Sequence, residues 1–402
     1  MRSNTSVDPI TADLAPVLAA AVPLLSGAAR DARVRSVHSH GSNARSVLLE
    51  VDVVKPEARD STVLLVAHVA SRTPPPAAAS LLHHGEQVHL WLFPRDPYLP
   101  GLAAAVDRRA AGALLAELQL GSGSLAAVRT RAYRPTRRAV VELRPATGEA
   151  PAAYRKVLGG RSPQRVHERA LALADVHRAL SATLPVPPVL HHDREGGVVT
   201  LGRLAGDTLR SRLRRGLSLP PPSDVADLLD ALKRSPDVGA DGDPARYADV
   251  RRHVRTLAAL LPDRAADLEH VHACIGEVGG PRGLLHGDLH DGQLLVESDR
   301  ITGLLDVDGV GRGPIALDVG RLLANIEVAE GHGPEGARVA PAYARAVEAA
   351  TRHLAPESEI AKAAAAAWIG LATGPHRVQS TDWHSRCNAR IDRALGWAER
   401  IA

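Results

Sequence analysis

Four runs near the start of the chain, Arg33 to Val37, Ser46 to Val54, Thr62 to Ala70 and Gln87 to Phe93, are rich in apolar and β-branched residues and are bounded by turn-forming segments. That pattern predicts an antiparallel sheet. Alanine-rich stretches on either side, Ile10 to Leu25 and Leu102 to Leu118, repeat their apolar positions at helical spacing and predict helices. Residues 1–122 therefore read as a separate α+β unit, joined to the rest at Ser122 to Ser124. Three short strands follow, Ala126 to Tyr133, Arg138 to Leu143 and Ala153 to Leu158, separated by an Arg-Pro-Thr-Arg turn and an Ala-Thr-Gly-Glu-Ala-Pro loop. A helix over Pro163 to Leu180 and two further strands, Pro188 to His191 and Val198 to Leu204, complete a small sheet carrying one helix, residues 123–204. The remainder, 205–402, reads as mostly helical, with patterns near Ser223 to Lys233, Arg246 to Leu261, Arg264 to Glu277, Asp318 to Ala329, Pro341 to His353 and Glu359 to Leu371. A strand-loop-strand section, Gly283 to Val310, interrupts it, and no internal repeat is present.

A length of 402 residues with 45% hydrophobic content suffices for two or three folded units and excludes a disordered or fibrous chain. Lysine plus arginine number 49 against 45 aspartate plus glutamate, a formal charge of +4, which gives no broad nucleic-acid footprint. Only Lys55, Lys156, Lys233 and Lys362 are lysines, so arginine supplies nearly all the positive charge. Cys274 and Cys387 are isolated, without a CxxC pair, which fits a reducing cytoplasm. The apolar stretch Ala15 to Leu25 follows Asp8 and Asp13 and falls short of the roughly 20 residues of a membrane span. It reads as an amphipathic helix, and neither a membrane nor a nucleic acid is expected as a partner.

The chemically informative stretch is GLLHGDLHDGQLLVESDRITGLLDVDG, residues 283–309. It sets Asp288 in a His-Gly-Asp turn after an apolar strand, an amide at Gln293, and Asp306 at the end of a second apolar strand. Phosphoryl transfer needs such a set: one carboxylate to align the incoming hydroxyl, and an amide plus a second carboxylate to hold the metal that offsets phosphate charge. The interval from Asp288 to Gln293 matches D-x-x-x-x-N of protein kinases, and Asp306 stands where their D-F-G aspartate does. The stretch resembles the signature of the aminoglycoside phosphotransferase and choline kinase superfamily, HGDxHxxN followed by an I/L-D-W/F segment. Glutamine in place of the usual asparagine resembles the maltokinase and glucosamine-kinase branch, which also carries an amino-terminal cap domain.

The resemblance implies a bilobal protein-kinase-like α+β fold, with a small antiparallel-sheet lobe and a large helical lobe, preceded here by the α+β cap. It implies ATP or GTP and Mg2+ as cofactors, Asp288 as catalytic base or orienter, and Gln293 and Asp306 as metal ligands. His286 and His290 are expected to support the loop, Asp308 to stand as a possible second ligand, and Asp318 to hydrogen-bond to the catalytic loop or cap its helix. Upstream, Lys156 on the third strand of the small sheet is expected to reach the α/β-phosphates, with Glu168 of the next helix to hold it. No GxGxxG lies between the first two strands of that sheet; Arg134 and Arg137 in the basic turn are the candidates for phosphate contact instead. The segment through Thr200, Gly202 and Leu204 is expected to offer backbone groups to the nucleobase.

From Ile315 to Ala402 there are ten Asp/Glu and ten Lys/Arg, so no acidic excess marks a polycation site. The expected enzyme is thus a small-molecule kinase acting on the hydroxyl of a sugar or amino sugar. An aminoglycoside or other natural-product kinase and a catalytically silent nucleotide-binding module are the alternatives. Trp368 and Trp383 read as helix-packing residues before they read as a sugar platform. The amino-terminal histidines His38, His40, His68, His83, His84 and His89 lack zinc-type spacing. That unit reads as a cap on the small lobe or a dimer contact, in a monomer or homodimer.

Overall fold

The computed structural model describes residues 9–39, 44–55, 60–70, 79–123, 126–146, 151–238, 249–331, 333–378 and 380–401. They form a mixed α+β protein of two compact units, the first made of the described residues up to 171, of 189–202 and of 377–381, the second of the remaining segments. In the first unit, strands β1 (Ala28–Ser39), β2 (Arg45–Val54), β3 (Ser61–Val69), β4 (Ala79–His83) and β5 (Glu86–Leu92) form an antiparallel sheet in the order β1-β2-β3-β5-β4. A second antiparallel sheet, ordered β6-β7-β8-β10-β9, comprises β6 (Ala127–Arg134), β7 (Arg138–Arg144), β8 (Ala153–Leu158), β9 (Val189–Asp193) and β10 (Val198–Gly202). Strand β10 ends at Gly202, two residues short of the Leu204 expected from sequence.

The expected boundary at residue 122 does not separate two compact units. Because side chains alternate across a strand, Val47, Leu49, Val51 and Val53 of β2 join Val17 and Ala21 in one core. Leu48 points the other way and joins Val66, Trp91, Tyr133, Ala139 and Val141 in a core shared by both sheets. A polar brace reinforces that shared core. The Asp96 carboxylate, 4% exposed, accepts hydrogen bonds from Tyr133 Oη (2.8 Å), Thr136 N (2.9 Å) and Tyr98 N (2.9 Å). It thereby fixes the turn between β6 and β7, where Thr136 has φ +67°; burial pushes this carboxyl above its usual range.

Both helices expected in the amino-terminal segment are interrupted. The first is α1 (Pro9–Ala12) and α2 (Ala15–Ala21), with Asp13 Oδ1 accepting from Ala15 N at 3.1 Å and Pro16 opening the second piece. The other is α3 (Leu102–Val106) and α4 (Arg108–Glu117), because Asp107 is extended and caps α4 through a 2.8 Å bond from Ala110 N. Helix α5 (Pro163–Leu180) has the expected bounds.

The second unit carries α6 (Leu209–Arg215), α7 (Pro222–Arg234), α8 (Arg251–Leu260), α9 (Ala265–Ile275), α10 (Ala316–Val328), α11 (Pro334–Thr351), α12 (Glu357–Ala372), α13 (Gly374–Arg377, whose last residue clusters with the first unit) and α14 (Trp383–Ala398). Pro341, expected to begin a helix, lies inside α11, which starts instead with Pro334 in its first turn. Small antiparallel strands sit among these helices: β11 (Asp207–Thr208), β12 (Arg282–Leu285), β13 (Leu294–Glu297), β14 (Arg300–Leu304) and β15 (Gly311–Pro314). Ser298 and Asp299, both at positive φ, close the two-residue β13–β14 hairpin.

Helix α10 lies at the centre, nearly all of it buried. Gly320 lets it approach α12 closely, since a Cβ there would fall 2.5 Å from Ala364 N and 2.7 Å from Ala363 C. Its own N-cap is Ile315, so Asp318 is not the cap but sits one turn in, where its carboxylate is used otherwise. Among the described residues no helix is long and apolar enough to cross a membrane.

Candidate active site

Strand β12 delivers the chain into the loop 286–293, β13 and β14 return it, and Asp306 follows two residues after β14. Gly287 takes φ +80°, a turn open to glycine at little cost. His286 is fully buried. Its Nε2 lies 2.7 Å from the Leu305 carbonyl and its Nδ1 3.3 Å from Asp288 N, so Nε2 carries the proton and donates while Nδ1 accepts. The ring therefore ties the His-Gly-Asp turn to the end of β14. From α10, Asp318 accepts from His286 N at 2.7 Å and Gly287 N at 3.0 Å. It is wholly enclosed, and burial raises its carboxyl above the usual range against the pull of His286, the two N–H donors and Arg321.

Asp288 is partly exposed at the head of this loop. Its Oδ1 accepts from both Nε (2.7 Å) and Nη2 (2.6 Å) of Arg321, one turn along α10 from Asp318. Gln293 and Asp306 are brought together: the amide end of Gln293 lies 3.3 Å from Asp306 Oδ2 and 3.2 Å from His290 Nε2. Asp306 is a non-glycine residue in the left-handed region, φ +60°, a costly backbone state of the kind that concentrates at functional sites. Asp308 follows in the short 3₁₀ turn Val307–Gly309.

A third brace comes from α6. Arg210 Nε and Nη2 donate to Asp291 Oδ1 at 2.9 and 2.7 Å, and its backbone N donates to Asp291 O. Asp291 is 1% exposed, with its carboxyl raised by burial. Gly292 N (3.0 Å) and Arg210 Nη2 (3.2 Å) both point donors at His290 Nδ1, so that nitrogen accepts and the proton lies on Nε2. Burial and the neighbouring Arg210 hold His290 down to about 4. An unfolded imidazole titrates near 6.5, so the folded state resists a proton that the unfolded chain takes up. His290 thus contributes stability that is fully present above about pH 6.5 and is lost as pH falls towards 4, amounting to about 3 kcal/mol. In urea titrations between pH 7 and 5 the wild-type midpoint should fall with a slope that His290→Gln flattens; identical slopes would contradict this assignment.

In the first unit, Lys156 lies on β8 opposite Val140 and Val199 and is 8% exposed. Glu168 is exposed on α5, where it accepts from Gln164 Nε2 at 3.0 Å and pairs with Arg165 at 3.7 Å. Arg134 and Arg137 flank the β6–β7 turn, exposed. His38 of β1 is pushed down to about 4 by burial and by Arg134, Arg377 and Arg137, which marks the turn as a strongly basic region. Thr200 is fully buried with Oγ1 lacking a partner, Gly202 is buried, and Leu204 lies beyond the strand. His68 and His89 bond to Ser46 and Ser80 at 2.9 and 3.0 Å as sheet residues; His40 lies outside the described residues. Trp368 is 3% exposed, which excludes ring stacking on an exposed face.

Three residues of this site were not identified from sequence: Arg210, Asp291 and Arg321. The available signal for Arg321 was a charged side chain one turn after Asp318 in an otherwise apolar helix.

The sequence matches the profile of the phosphotransferase enzyme family, APH, over residues 155–359, just over half its length. The chain belongs to this family. It is accordingly an enzyme, a small-molecule phosphotransferase, and the segment matched contains the whole loop 286–293, Asp306, Asp318 and Arg321. No curated protein matches the sequence significantly. Among solved structures, the GDP and kanamycin complex of APH(2")-IIIa is similar at 13% identity and TM-score 0.47, covering 67% of this chain and 93% of that one. The ADP and hygromycin B complex of a thermostable mutant of aminoglycoside phosphotransferase APH(4)-Ia is similar at 15% identity and TM-score 0.47, over 71% and 97%. The macrolide 2'-phosphotransferase MphH of Brachybacterium faecium is similar at 17% identity and TM-score 0.42, over 66% and 92%.

Proposed function

We propose that this phosphotransferase moves the γ-phosphoryl group of a magnesium-bound nucleoside triphosphate, ATP or GTP, to a hydroxyl of a sugar or sugar derivative. The observation that carries the reading is the convergence, on one loop and hairpin, of a carboxylate oriented by an arginine (Asp288) with an adjoining amide–carboxylate pair (Gln293 and Asp306). Asp288 aligns the acceptor hydroxyl, accepting its hydrogen bond on the carboxylate that Arg321 holds in place.

Magnesium takes oxygen ligands and keeps several waters, so two protein groups suffice. Gln293 and Asp306 fit that demand. The proton on His290 Nε2 asks the amide for its oxygen, while Asp306 asks it for an N–H, and a half-turn of the amide exchanges the two. With the oxygen turned inward, two oxygens face each other about as closely as neighbouring ligands of one divalent cation would. Bound there, magnesium would offset the charge of the β- and γ-phosphates. In the first unit, Lys156 is assigned to the nucleotide phosphates and Arg134 and Arg137 to further phosphate contact; Glu168, expected to hold that lysine, pairs instead with Gln164 and Arg165 and is not assigned to it. The backbone from Thr200 through Gly202, and Leu204 just beyond the strand, is assigned to the nucleobase. Among the described residues no cluster of three or more His, Cys, Asp or Glu side chains offers a rival metal site.

The sugar assignment draws support from the balanced charge of residues 315–402, ten acidic against ten basic, where a polycationic antibiotic would call for an acidic excess. A screen with labelled ATP over sugars, sugar acids, amino sugars, aminoglycosides and macrolides tests the acceptor class directly. Asp306→Ala should weaken ATP affinity in magnesium by at least about tenfold, leaving the weaker magnesium-free affinity unaltered. Equal affinities of wild type and variant in magnesium would remove Asp306 from the metal site. Clear Mg-ATP stabilisation with no transfer to any acceptor would favour the catalytically silent module, which the glutamine at 293 and the absence of a GxGxxG between the first two strands of the small sheet support.

A further inference from the structure

Gln293 is flanked on both sides by contacts to one short stretch of chain, residues 207–210. After it in sequence, Leu295 and Val296 of β13 pair with Thr208 and Asp207 of β11. Before it, Asp291 O accepts from the backbone N of Arg210, and the Arg210 guanidinium reaches both Asp291 and His290. The stretch therefore grips the loop and the hairpin at two points with the Gln293 amide between them. Thr208 Oγ1 accepts from Ser211 N at 3.1 Å and caps α6, which fixes Arg210 in the first turn of that helix.

The guanidinium is held from several directions. Its Nε and Nη2 donate to Asp291 Oδ1, and Nη2 also lies 3.2 Å from His290 Nδ1 and 3.5 Å from Asn325 Oδ1. Asn325 is itself tied within α10 by a 2.9 Å bond from its Nδ2 to Arg321 O. The planar fork thus meets the loop and α10 together, an arrangement that a single ammonium does not reproduce. Packing here is tight, since a Cβ on Gly292 would lie 2.9 Å from His290 Cε1 and 3.2 Å from Arg210 Cζ. Imidazole and guanidinium meet directly over the Gly292 backbone.

The consequence reaches the amide. Gly292 N and Arg210 Nη2 both donate to His290 Nδ1, which leaves the ring proton on Nε2, 3.2 Å from the amide end of Gln293. That proton selects the amide oxygen, and the oxygen so held lies against Asp306 Oδ2, 3.3 Å from the same amide position. A carboxylate and an amide oxygen this close repel one another unless a cation lies between them. Only a ring that cannot swing away keeps them together. One backbone donor leaves the imidazole free to pivot about a single bond; a second donor, from a different element, removes that freedom.

We infer that Arg210 is a positioning residue for the metal pair: by holding His290 it keeps the Gln293 oxygen turned towards Asp306, so that a divalent cation meets two aligned protein oxygens. It acts through His290 and not on the cation itself. This rests on the metal assignment of the proposed function and extends it to α6. Removal of a group that orients a metal ligand weakens metal binding by about 10–100-fold.

Arg210→Lys is the first test, because lysine keeps a positive charge beside the buried Asp291 carboxylate but lacks the fork that serves Asp291 and His290 together. The readout is the affinity of the full chain for the non-hydrolysable ATP analogue AMP-PNP, measured by calorimetry in magnesium and again in EDTA, beside the melting temperature. Binding in magnesium should weaken by at least about tenfold, while binding in EDTA and the melting temperature stay close to wild type. The double variant Arg210→Gln/Asp291→Asn removes both charges, leaves no buried carboxylate unpaired, and should give the same result; it decides the matter if the lysine variant does not fold. Wild-type affinity in magnesium in a folded variant, or an equal weakening with and without magnesium, would overturn the inference. Asp306→Ala is the reference. If it loses the magnesium-dependent affinity and the Arg210 variants do not, the metal pair stands and only the positioning role falls. If Asp306→Ala binds as wild type does in magnesium, the metal assignment fails and the inference with it.

Discussion

Asp288→Asn should lower turnover by at least about 100-fold, within the range that loss of a positioned acid–base group produces, while Mg-ATP binding survives. The expectation follows from geometry. The two Arg321 bonds converge on Oδ1, so the carboxylate is oriented by the protein and its other oxygen is the one that can face an acceptor hydroxyl. Asparagine keeps the shape but replaces one oxygen with a donor. If its oxygen stays on Arg321, the hydroxyl meets an N–H and is held in the wrong sense; if it turns, the guanidinium faces a donor and the side chain is no longer fixed. Either way the loss belongs to the transition state, so kcat should fall with KM for ATP nearly unchanged. A melting temperature measured alongside separates this from unfolding. Near-wild-type turnover in a folded variant would exclude the assigned role.

Much of this site was legible because its parts are adjacent in sequence. Asp288, Gln293 and Asp306 lie within one strand-loop-strand segment, so spacing alone carries their relation, and the structure indeed brings Gln293 and Asp306 to 3.3 Å. Arg210 and Arg321 were not legible for the converse reason. They are 81 and 33 residues from their carboxylate partners Asp291 and Asp288, and only the docking of α6 and α10 on the loop makes those pairs. The same limit applied to the first unit. Apolar, β-branched runs bounded by turns located four of the five strands of the amino-terminal sheet, but such a run does not say whether one face or both are buried, and β2 is buried on both from Ser46 through Leu49. That continuous run was the trace of the core shared with the second sheet, and it explains why a boundary at residue 122 does not divide the unit. Helix α14 escaped notice because Arg386, Arg390 and Arg393 dilute the apolar period that would otherwise reveal it.

The largest effect on stability should come from Asp318. Its two oxygens accept the backbone N–H groups of His286 and Gly287 in a place water does not reach. Asp318→Ala removes both acceptors and leaves two buried donors orphaned, each costing about 1–3 kcal/mol. Part of that loss is offset because the carboxylate itself is costly to bury, as the upward shift of its carboxyl shows. The balance should be a loss of about 3 kcal/mol in urea unfolding, a large fraction of ordinary domain stability. Asp318→Asn, which retains one acceptor oxygen, should lose about half as much. Both variants loosen the His-Gly-Asp turn, so kcat should fall even at temperatures where the protein remains folded, while ATP affinity, which depends on other side chains, should hold. An alanine variant as stable as wild type would mean that the two N–H groups find other partners. In that case the hold of α10 on the loop would rest on the Arg321–Asp288 pair alone.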